Sequence, residues 1–343
     1  MISVLVVDDS AFMRKILSDI LNSDPEISVV DAVRDGASTL KRVAELSPDV
    51  ITLDIHLPDI GGIELIKKIM EDTPTPILVI SALTKEGSSY TIEALQSGAV
   101  DFLLKPSGEI SLDIEKLKQE IISKVKIVNI AQINKIKAAP LIPSHKFSPT
   151  RRKIVVIGAS TGGPQTLEGL LLPLPKNIPS PILIVQHMPA GGFTASLAER
   201  LNRLCEIEVR EAKEGEELEA GVALIAPGGL HMELISDNPV YEGTIHLGAD
   251  PPELGVRPSV NKLFRSVASI FKENTIGIIL TGMGSDGTIG SGEIKNYRGT
   301  IIAQAEESCV IFGMPKEVIK AGYADEILPI EKIPVALIQL LEV

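Results

Sequence analysis

Residues 153–172 read KIVVIGASTGGPQTLEGLLL, an apolar run followed by a glycine-rich turn and then a stretch with helical spacing. A short continuous run of Val and Ile is typical of a strand buried on both faces, as the strands of parallel sheets are. The order strand, turn, helix predicts the opening unit of a doubly wound α/β domain. The turn contains the pattern Gly-x-Ser-x-Gly, with Ser160 at its centre.

The turn by itself leaves three interpretations open. In a nucleophile elbow, the glycines would allow a tight turn that exposes the Ser160 hydroxyl beside a helix N-terminus. In a dinucleotide site, the turn would bind a pyrophosphate, although a serine here occupies the second glycine position of that motif. A bare turn would have no chemical role.

Two further predicted strands favour the nucleophile elbow. The strand at 182–185 leads to His187, whereas a dinucleotide site would need Asp or Glu there to bind ribose hydroxyls. The strand at 276–280 leads into a glycine-rich loop that contains Asp286. Because the carboxyl ends of parallel strands share one sheet edge, we expect Ser160, His187 and Asp286 to meet there as nucleophile, general base and orienting carboxylate. Such a triad needs no cofactor.

The oxyanion that forms when a serine attacks a carbonyl needs hydrogen-bond donors. Candidates lie next to the predicted nucleophile, at a helix N-terminus, and in the glycine-rich loop of the third strand. They are Thr161, Gly162, Met283 and Gly284.

Other histidines give weaker signals. A rival triad of Ser160, Asp237 and His246 would restore the chain order of α/β-hydrolases, but those two residues have turn-like and strand-like contexts without a sheet-edge signal. His231 could make a structural contact or line the cleft, and neither it nor Arg257 is assigned a role. The two remaining histidines, His56 and His145, are expected to be solvated.

Residues 1–120 alternate apolar runs with stretches of helical period, which predicts another doubly wound parallel sheet. The predicted strands lie at 4–7, 50–53, 77–80 and 100–104.

Polar side chains follow these strands where each one ends. Three carboxylates at one sheet edge, Asp8, Asp9 and Asp54, would repel one another without a cation, and Mg²⁺ suits such a ligand set. An aspartate phosphorylated there becomes an acyl phosphate. Lys105 and the metal would offset its charge, and Ser81 would donate a hydrogen bond to it. This arrangement predicts a phosphorylation switch.

The two halves are separated by a basic segment. Residues 121–153 contain eight Lys and Arg and no acidic residue, with three prolines among them, while the whole chain carries a net charge of −12. We therefore predict a first domain at 1–120, a linker at 121–152 and a second domain at 153–343. Since both flanking domains are acidic and would repel phosphates, no nucleic-acid partner is expected.

Composition limits the class of protein further. The apolar runs are far shorter than the roughly 20 residues of a membrane-spanning helix, and Met1 leads directly into strand-like residues without a signal-peptide pattern. We expect a cytoplasmic protein without membrane insertion. Cys205 and Cys309 lie far apart, without neighbouring metal ligands, and are interpreted as buried apolar residues.

Four motifs of the first half together resemble a response-regulator receiver domain. They are VDDS at 7–10, TLDIHLPDIGG at 52–62, ISALT at 80–84 and LLKPS at 103–107. The resemblance implies a flavodoxin-like fold, Asp54 as the phosphoacceptor and a chemotaxis histidine kinase as the phosphodonor.

The second half resembles the catalytic domain of the chemotaxis protein-glutamate methylesterases, the CheB family. The motifs are GASTGGP at 158–164, VQHMP at 185–189, APGGLH at 226–231, RPSVNKLF at 257–264, ILTGMGSDG at 279–287 and FGMPKE at 312–317. The resemblance implies a Rossmann-like α/β/α domain that hydrolyses glutamate γ-methyl esters on the cytoplasmic helices of chemoreceptors. It also implies glutamine deamidation in many members and activation by phosphorylation of Asp54. Asn261 departs from the aspartate usual in the family.

Two alternatives remain at this stage. A response regulator with a non-enzymatic output would need a basic or helical interaction surface in the second half, which is acidic overall. A dinucleotide-binding oxidoreductase would need a cofactor bound at residues 158–163.

Overall fold

The structure is a computed structural model that describes residues 1–81, 84–105, 114–133, 139, 142, 147, 153–236 and 243–342. The chain divides into two compact units, Met1–Ile133 and Asn134–Val343. Among the residues described, none of the helices combines the length and apolar character that crossing a bilayer requires.

The first unit contains a five-stranded parallel sheet in the order β2-β1-β3-β4-β5. The strands are β1 (Ile2–Val7), β2 (Ile27–Val33), β3 (Val50–Asp54), β4 (Ile77–Ser81) and β5 (Asp101–Leu104). The helices are α1 (Ala11–Asn22), α2 (Gly36–Leu46), α3 (Gly62–Asp72), α4 (Lys85–Gln96) and α5 (Ile114–Asn129). This strand order is that of the flavodoxin-like fold, which confirms the predicted class.

The chain reverses direction across the first sheet between β1 and β3. From β1 it moves outward to β2 and then returns to place β3 on the other side of β1. In doubly wound folds, ligands bind at such a switch point, outside the carboxyl ends of the strands. Asp8 and Asp54 stand at this point, and Ser10 caps α1 by accepting a hydrogen bond from the Met13 N–H.

Helix α5 extends into the segment that was predicted to be a linker. It runs to Asn129, so the boundary predicted after residue 120 lies inside a helix. Ile121, Val125 and Val128 recur at helical spacing and are buried. The last part of α5 therefore packs into the core despite its basic charge. Residues 121–129 are therefore not linker, and of the remainder to 152 only a part is described.

The second unit contains a seven-stranded parallel sheet in the order β14-β13-β12-β6-β7-β9-β8, with a separate antiparallel hairpin of β10 and β11. Its strands are β6 (Ile154–Ala159), β7 (Ile182–Gln186), β8 (Glu208–Glu211), β9 (Val222–Ile225), β10 (His231–Ile235), β11 (Thr244–Gly248), β12 (Thr275–Ile279), β13 (Thr300–Gln304) and β14 (Glu326–Leu328). Its α-helices are α6 (Gly163–Leu171), α7 (Phe193–Leu204), α8 (Val260–Phe271), α9 (Thr288–Asn296), α10 (Met314–Lys320) and α11 (Ile333–Glu342).

The central strands of the second sheet are buried along their whole length, as β6, β7 and β12 show. Burial of both faces explains their continuous apolar sequences. The switch point of this sheet lies between β6 and β12, because the chain moves outward through β7 and then returns to place β12 on the other side of β6. The residues that follow β6 and β12 are thus at the position where a ligand is expected.

Candidate active site and phosphorylation site

Ser160 and His187 follow two neighbouring strands of the second sheet. Ser160 directly follows β6 and His187 directly follows β7, and the last residues of these strands, Ala159 and Gln186, pair in register. The His187 N–H donates to the Ala159 carbonyl at 2.9 Å, which is the last ladder bond between the two strands. The parallel register therefore places both side chains at the same edge.

The loop after β12 packs directly against Ser160 from the other side. The Ser160 N–H donates to the Thr281 carbonyl at 3.0 Å. A Cβ atom added to Gly282 would lie 2.6 Å from the Ser160 Cβ, closer than real Cβ contacts allow. Glycine is therefore required in this loop so that the backbone can approach the turn.

His187 pairs with Asp286, which the same loop contributes. The His187 Nε2 and Asp286 Oδ2 atoms are 2.8 Å apart, and their side chains are only 10% and 4% exposed. The other ring nitrogen, Nδ1, makes no hydrogen bond to any residue that the structure describes. It is thus the nitrogen left to exchange a proton.

Asp286 is surrounded by donors besides the imidazole. Its Oδ1 accepts from Ser259 Oγ at 3.1 Å, Asn261 N at 3.0 Å and Gly287 N at 3.0 Å, and its Oδ2 accepts from Val260 N at 2.7 Å. Burial alone would raise the pKa of Asp286, but the hydrogen bond and charge of His187, together with these N–H groups, hold the pKa below its usual value. The side chain is thus an anion at neutral pH.

Ser160 Oγ makes no hydrogen bond to His187 or to any other described residue. Ser160 is a partly exposed residue just before α6, where Gly162 adopts a left-handed conformation with φ of 78°. Catalytic hydrogen bonds are often long before substrate binds, so the open contact is compatible with a nucleophile. The structure thus brings His187 and Asp286 into contact and places Ser160 at the adjacent strand end without a bond to them.

The candidates for oxyanion binding differ in their hydrogen bonds. The N–H groups of Gly162, Met283 and Gly284 donate to no atom within the described residues. Thr161 is buried, and its carbonyl accepts from the Thr281 hydroxyl at 3.1 Å. Met283 is about half exposed beside the turn. The loop after β12 and the start of α6, which both adjoin Ser160, therefore both contain N–H groups without a described acceptor.

The rival triad receives no support from the described residues. His246 lies on β11, is partly exposed and pairs with Glu214 at 3.1 Å, while Asp237 lies outside the described residues. His231 is fully buried, and its Nε2 is 3.1 Å from the Pro251 carbonyl, which is the structural contact considered above.

Two further histidines and one arginine were singled out from the sequence. His56 is exposed, with its ring edge-to-face against Tyr90, while His145 lies outside the described residues. Arg257 donates to the carbonyls of Ala249 and Asp250. Its guanidinium thus organises the loop before α8.

The first unit brings Asp8, Asp54 and Lys105 together. Both carboxylates are buried, and Lys105 Nζ lies 2.7 Å from Asp54 Oδ2 and 3.2 Å from Asp8 Oδ2. Burial lowers the pKa of Lys105, but its hydrogen bond to Asp54 and the two negative charges outweigh this and raise the pKa above its usual value. Burial is also the main reason that the pKa of Asp8 is raised.

Asp9 joins this cluster as an exposed third carboxylate. Oxygen atoms of Asp8, Asp9 and Asp54 lie within 4.8 Å of one another. Asp8 Oδ2 is buried and accepts no hydrogen bond from the described residues, although it is at ion-pair distance from Lys105. A buried carboxylate oxygen whose one described partner is the Lys105 ammonium, beside two further acids, fits a hard divalent cation.

Ser81 ends β4, next to the strand that carries Asp54. Its hydroxyl accepts a hydrogen bond from Thr91 Oγ1 at 2.6 Å and donates to the Gly87 carbonyl at 3.4 Å. The hydroxyl is therefore directed toward α4 in this structure.

Sequence patterns missed the residues that hold these groups in place. Ser259, Val260 and Asn261, which donate to Asp286, belong to the start of α8, about 25 residues before it. The Asn261 side chain also accepts from the Gly287 and Gly290 N–H groups at 2.9 Å each. The motif that contains Ser259 carried a signal only through the family resemblance.

Two family comparisons match most of the chain. Residues 4–118 match the response regulator receiver domain, and residues 155–337 match CheB methylesterase.

Relatives match over nearly the full length. The protein-glutamate methylesterase/protein-glutamine glutaminase of Halalkalibacterium halodurans is 48% identical over 335 residues, which cover 97% of this chain and 96% of that protein. The protein of the same name from Thermotoga maritima is 46% identical over 343 residues, covering 99% of this chain and 98% of the relative. The crystal structure of the Thermotoga maritima CheB methylesterase catalytic domain aligns with a TM-score of 0.53 and 50% identity, covering 56% of this chain and all of that one.

Proposed function

The chain belongs to the CheB methylesterase family, and from this premise we propose that it hydrolyses glutamate γ-methyl esters on chemoreceptors and deamidates receptor glutamines. The proposal includes phosphorylation of Asp54 as the signal that activates it. The match of residues 155–337 to a methylesterase family argues against both a non-enzymatic output domain and a dinucleotide-binding oxidoreductase.

One observation carries the proposed chemistry. His187 and Asp286 are paired at 2.8 Å, and Ser160 follows the strand next to that of His187, at the switch point of the sheet. An imidazole that is oriented by a buried carboxylate and lies near a serine is the arrangement that activates a hydroxyl as a nucleophile. We assign Ser160 as nucleophile, His187 as general base and Asp286 as its orienting partner.

In the first step, Ser160 Oγ bonds to the ester carbonyl carbon, and its proton moves to His187 Nδ1. The Asp286 carboxylate stabilises the imidazolium through Nε2. When the tetrahedral oxyanion collapses, the bond to the methoxy oxygen breaks and the imidazolium gives its proton to that oxygen. Methanol leaves, and a glutamyl ester of Ser160 remains.

In the second step, His187 takes a proton from water as the water oxygen bonds to the acyl carbon. The bond to Ser160 Oγ then breaks, and the serine oxygen regains a proton from the imidazolium, which releases a free glutamate side chain. A glutamine substrate follows the same sequence with ammonia as the leaving group.

We assign N–H groups near Ser160 as the hydrogen-bond donors that stabilise the oxyanion in both steps. The N–H groups of Gly162, Met283 and Gly284 have no protein acceptor among the described residues, whereas the Gly163 N–H already donates to the Ser160 carbonyl at 2.8 Å. The Thr161 hydroxyl is a further candidate donor. Preorganised donors of this kind contribute about 3–4 kcal/mol each to stabilising the transition state.

The first unit is assigned the regulatory role. Asp54 is the proposed phosphoacceptor, with Lys105 binding the phosphoryl charge and the Ser81 hydroxyl turning toward it. Asp8, Asp9 and Asp54 would hold Mg²⁺, which supplies positive charge that offsets that of the incoming phosphoryl group. The phosphodonor would be a chemotaxis histidine kinase, and both reactions would take place in the cytoplasm.

Incubation with membranes that contain methylated chemoreceptors tests the proposed reactions. We expect release of methanol from methyl-ester sites and of ammonia from glutamine sites, with both rates proportional to enzyme concentration. If neither product forms at any enzyme concentration, the proposed substrate is wrong.

A further inference from the structure

Gln186 lies between the two residues proposed to react with each other. It is the last residue of β7, directly before His187, and its register partner Ala159 directly precedes Ser160. The side chain is only 2% exposed. A buried amide needs hydrogen-bond partners, so its contacts are informative.

The amide nitrogen of Gln186 links the two strand ends. Gln186 Nε2 donates to the Ser160 carbonyl at 2.9 Å and to the His187 carbonyl at 3.1 Å. One amide group thus uses both of its hydrogens on the backbones of the proposed nucleophile and base.

The backbone hydrogen bonds between β6 and β7 stop just before the two carbonyls that the Gln186 amide joins. The ladder between β6 and β7 ends with the His187 N–H on Ala159, and the Ser160 N–H turns away to Thr281. Within the described residues, no direct hydrogen bond joins Ser160 and His187. The Gln186 amide therefore adds a side-chain link just beyond the last ladder bond, between the carbonyls of Ser160 and His187.

The amide can adopt only one orientation. A rotation that exchanged oxygen and nitrogen would set Oε1 against two carbonyl oxygens. Oε1 is buried and accepts no hydrogen bond from the described residues, and it occupies the space beside Gly163. A Cβ atom added to Gly163 would lie 1.8 Å from this oxygen. The missing side chain of Gly163 makes room for the amide.

We infer that Gln186 is a positioning residue that fixes the separation of Ser160 and His187 without touching the substrate. The inference rests on the proposed function, which assigns these residues as nucleophile and base. Because a misplacement of about 1 Å in reacting groups can lower a rate roughly 100-fold, loss of this link should affect the chemical step more than binding.

The test compares the full-length protein with Gln186→Met, which keeps the side-chain volume and removes the donors. Two quantities are measured, namely methyl-ester hydrolysis and the rate at which a small fluorophosphonate labels Ser160. We expect kcat and the labelling rate to fall together by about 10- to 100-fold, with KM changed less than about threefold. A kcat and labelling rate within twofold of the natural protein would overturn the inference.

A matched control separates positioning from a general loss of stability. Asp325→Ala removes a side-chain acceptor of the Ile301 N–H, at the opposite, amino edge of the same sheet. It should lower the melting temperature and leave the labelling rate unchanged. If Asp325→Ala slows labelling as much as Gln186→Met does, the effect is one of stability and the inference fails.

A second route displaces the amide without changing Gln186. Gly163→Ala adds the Cβ that meets Oε1, so it should slow labelling to a similar degree. When Gln186 is Ala, that steric conflict is gone, and the Gly163→Ala change should have little further effect. Additive losses in this double-mutant cycle would contradict a shared mechanism.

The labelling rate also distinguishes a failure of the proposed function from a failure of the role inferred for Gln186. The fluorophosphonate reacts with an activated serine whatever the natural substrate is. Failure of receptor hydrolysis together with normal labelling would refute the proposed substrate. A normal labelling rate in Gln186→Met would refute only the role of the amide.

Discussion

At the scale of single residues, the proposed chemistry of the second unit depends on how Asp286 is held. Its two oxygens accept hydrogen bonds from three backbone N–H groups and one hydroxyl in addition to the imidazole. Charge-assisted bonds of this kind are stronger than neutral ones, so the carboxylate is rigid and charged. It can therefore fix both the orientation and the tautomer of His187.

Replacing this carboxylate by an amide provides a first prediction. In Asp286→Asn, either amide orientation sets an NH₂ group against a backbone donor, Val260 N at one oxygen position or Asn261 N at the other. We expect kcat to fall by about 10⁴-fold and the free energy of unfolding to fall by about 1–3 kcal/mol. Steady-state hydrolysis and urea titration measure the two effects. Asp325→Asn, at the opposite sheet edge, should retain normal kcat, and a similar loss there would contradict the assignment.

The lowered pKa of Asp286 predicts a pH dependence of stability. Because its pKa in the folded protein is below the unfolded value of about 3.9, the ionised group contributes stability above that pH and loses it as pH falls through the folded pKa. The difference in unfolding free energy between the natural protein and Asp286→Asn should thus shrink as pH is lowered from about 5 to 3. A difference that stays constant or grows on acidification would contradict the proposed environment.

Residue-level prediction from sequence succeeded where a polar side chain follows an apolar run. The pairing of His187 with Asp286 could be predicted because parallel strands end at a common edge. The donors from Ser259 and Asn261 could not, because their contact with Asp286 depends on how α8 packs across the loop. The catalytic role of each residue remains a prediction.

At the scale of secondary-structure elements, every strand predicted from a continuous apolar run is present, including the edge strand β5. The edge strands β2, β8 and β14 and the inner strands β9 and β13 were not predicted. The predicted strands at 50–53 and 182–185 correspond closely to β3 and β7. The edge strand β2 was missed because its burial alternates and it includes polar residues, and β14 was missed because it has three residues. A short or half-exposed strand lacks the continuous apolar run that identifies a central one.

The last part of helix α5 was predicted to be a linker because of its basic charge. Composition favoured a linker from residue 121 because residues 121–153 contain eight basic and no acidic residues, yet Ile121, Val125 and Val128 form a buried stripe. Lysines on the outer face of a helix do not oppose packing of its inner face. Apolar spacing was therefore a better guide to the boundary than net charge.

A core substitution tests whether α5 belongs to the first unit. Val125→Ala removes two buried methyl groups and should lower local stability by about 2 kcal/mol. Amide exchange of the protected β1 and β3 residues in the full-length protein should then become roughly 30-fold faster. Gln119→Ala, on the exposed face, should leave exchange unchanged. Unchanged exchange in Val125→Ala would show that α5 contributes nothing to this core.

At the scale of the whole molecule, each unit places its chemistry at the switch point of a doubly wound sheet. Asp8 follows β1 and Asp54 ends β3 in one unit, and Ser160 and Asp286 lie beyond β6 and β12 in the other. The same topology can thus support the proposed charge switch in one unit and the proposed hydrolytic site in the other, and the side chains at the strand ends decide which.

Regulation across the chain is a prediction at this scale. A small acyl phosphate with Mg²⁺ should phosphorylate Asp54 and raise the hydrolysis rate, whereas chelation of the metal or Asp54→Asn should abolish the increase. Lys105→Ala should weaken it, because the ammonium that binds the phosphoryl charge is lost. Radiolabel incorporation and methanol release measure the two steps. Equal rates with and without incorporated phosphate would contradict activation.

The role of Ser160 as nucleophile is tested most sharply by comparing methanol release from methylated receptor membranes by the natural protein and by Ser160→Ala. The substitution removes one oxygen from a partly exposed side chain, so we expect the fold to be retained, as circular dichroism would verify. We expect kcat to fall by about 10⁴-fold or more, because the hydroxyl proposed to form the acyl intermediate is lost. Methanol release within tenfold of the natural rate by folded Ser160→Ala protein would contradict that role.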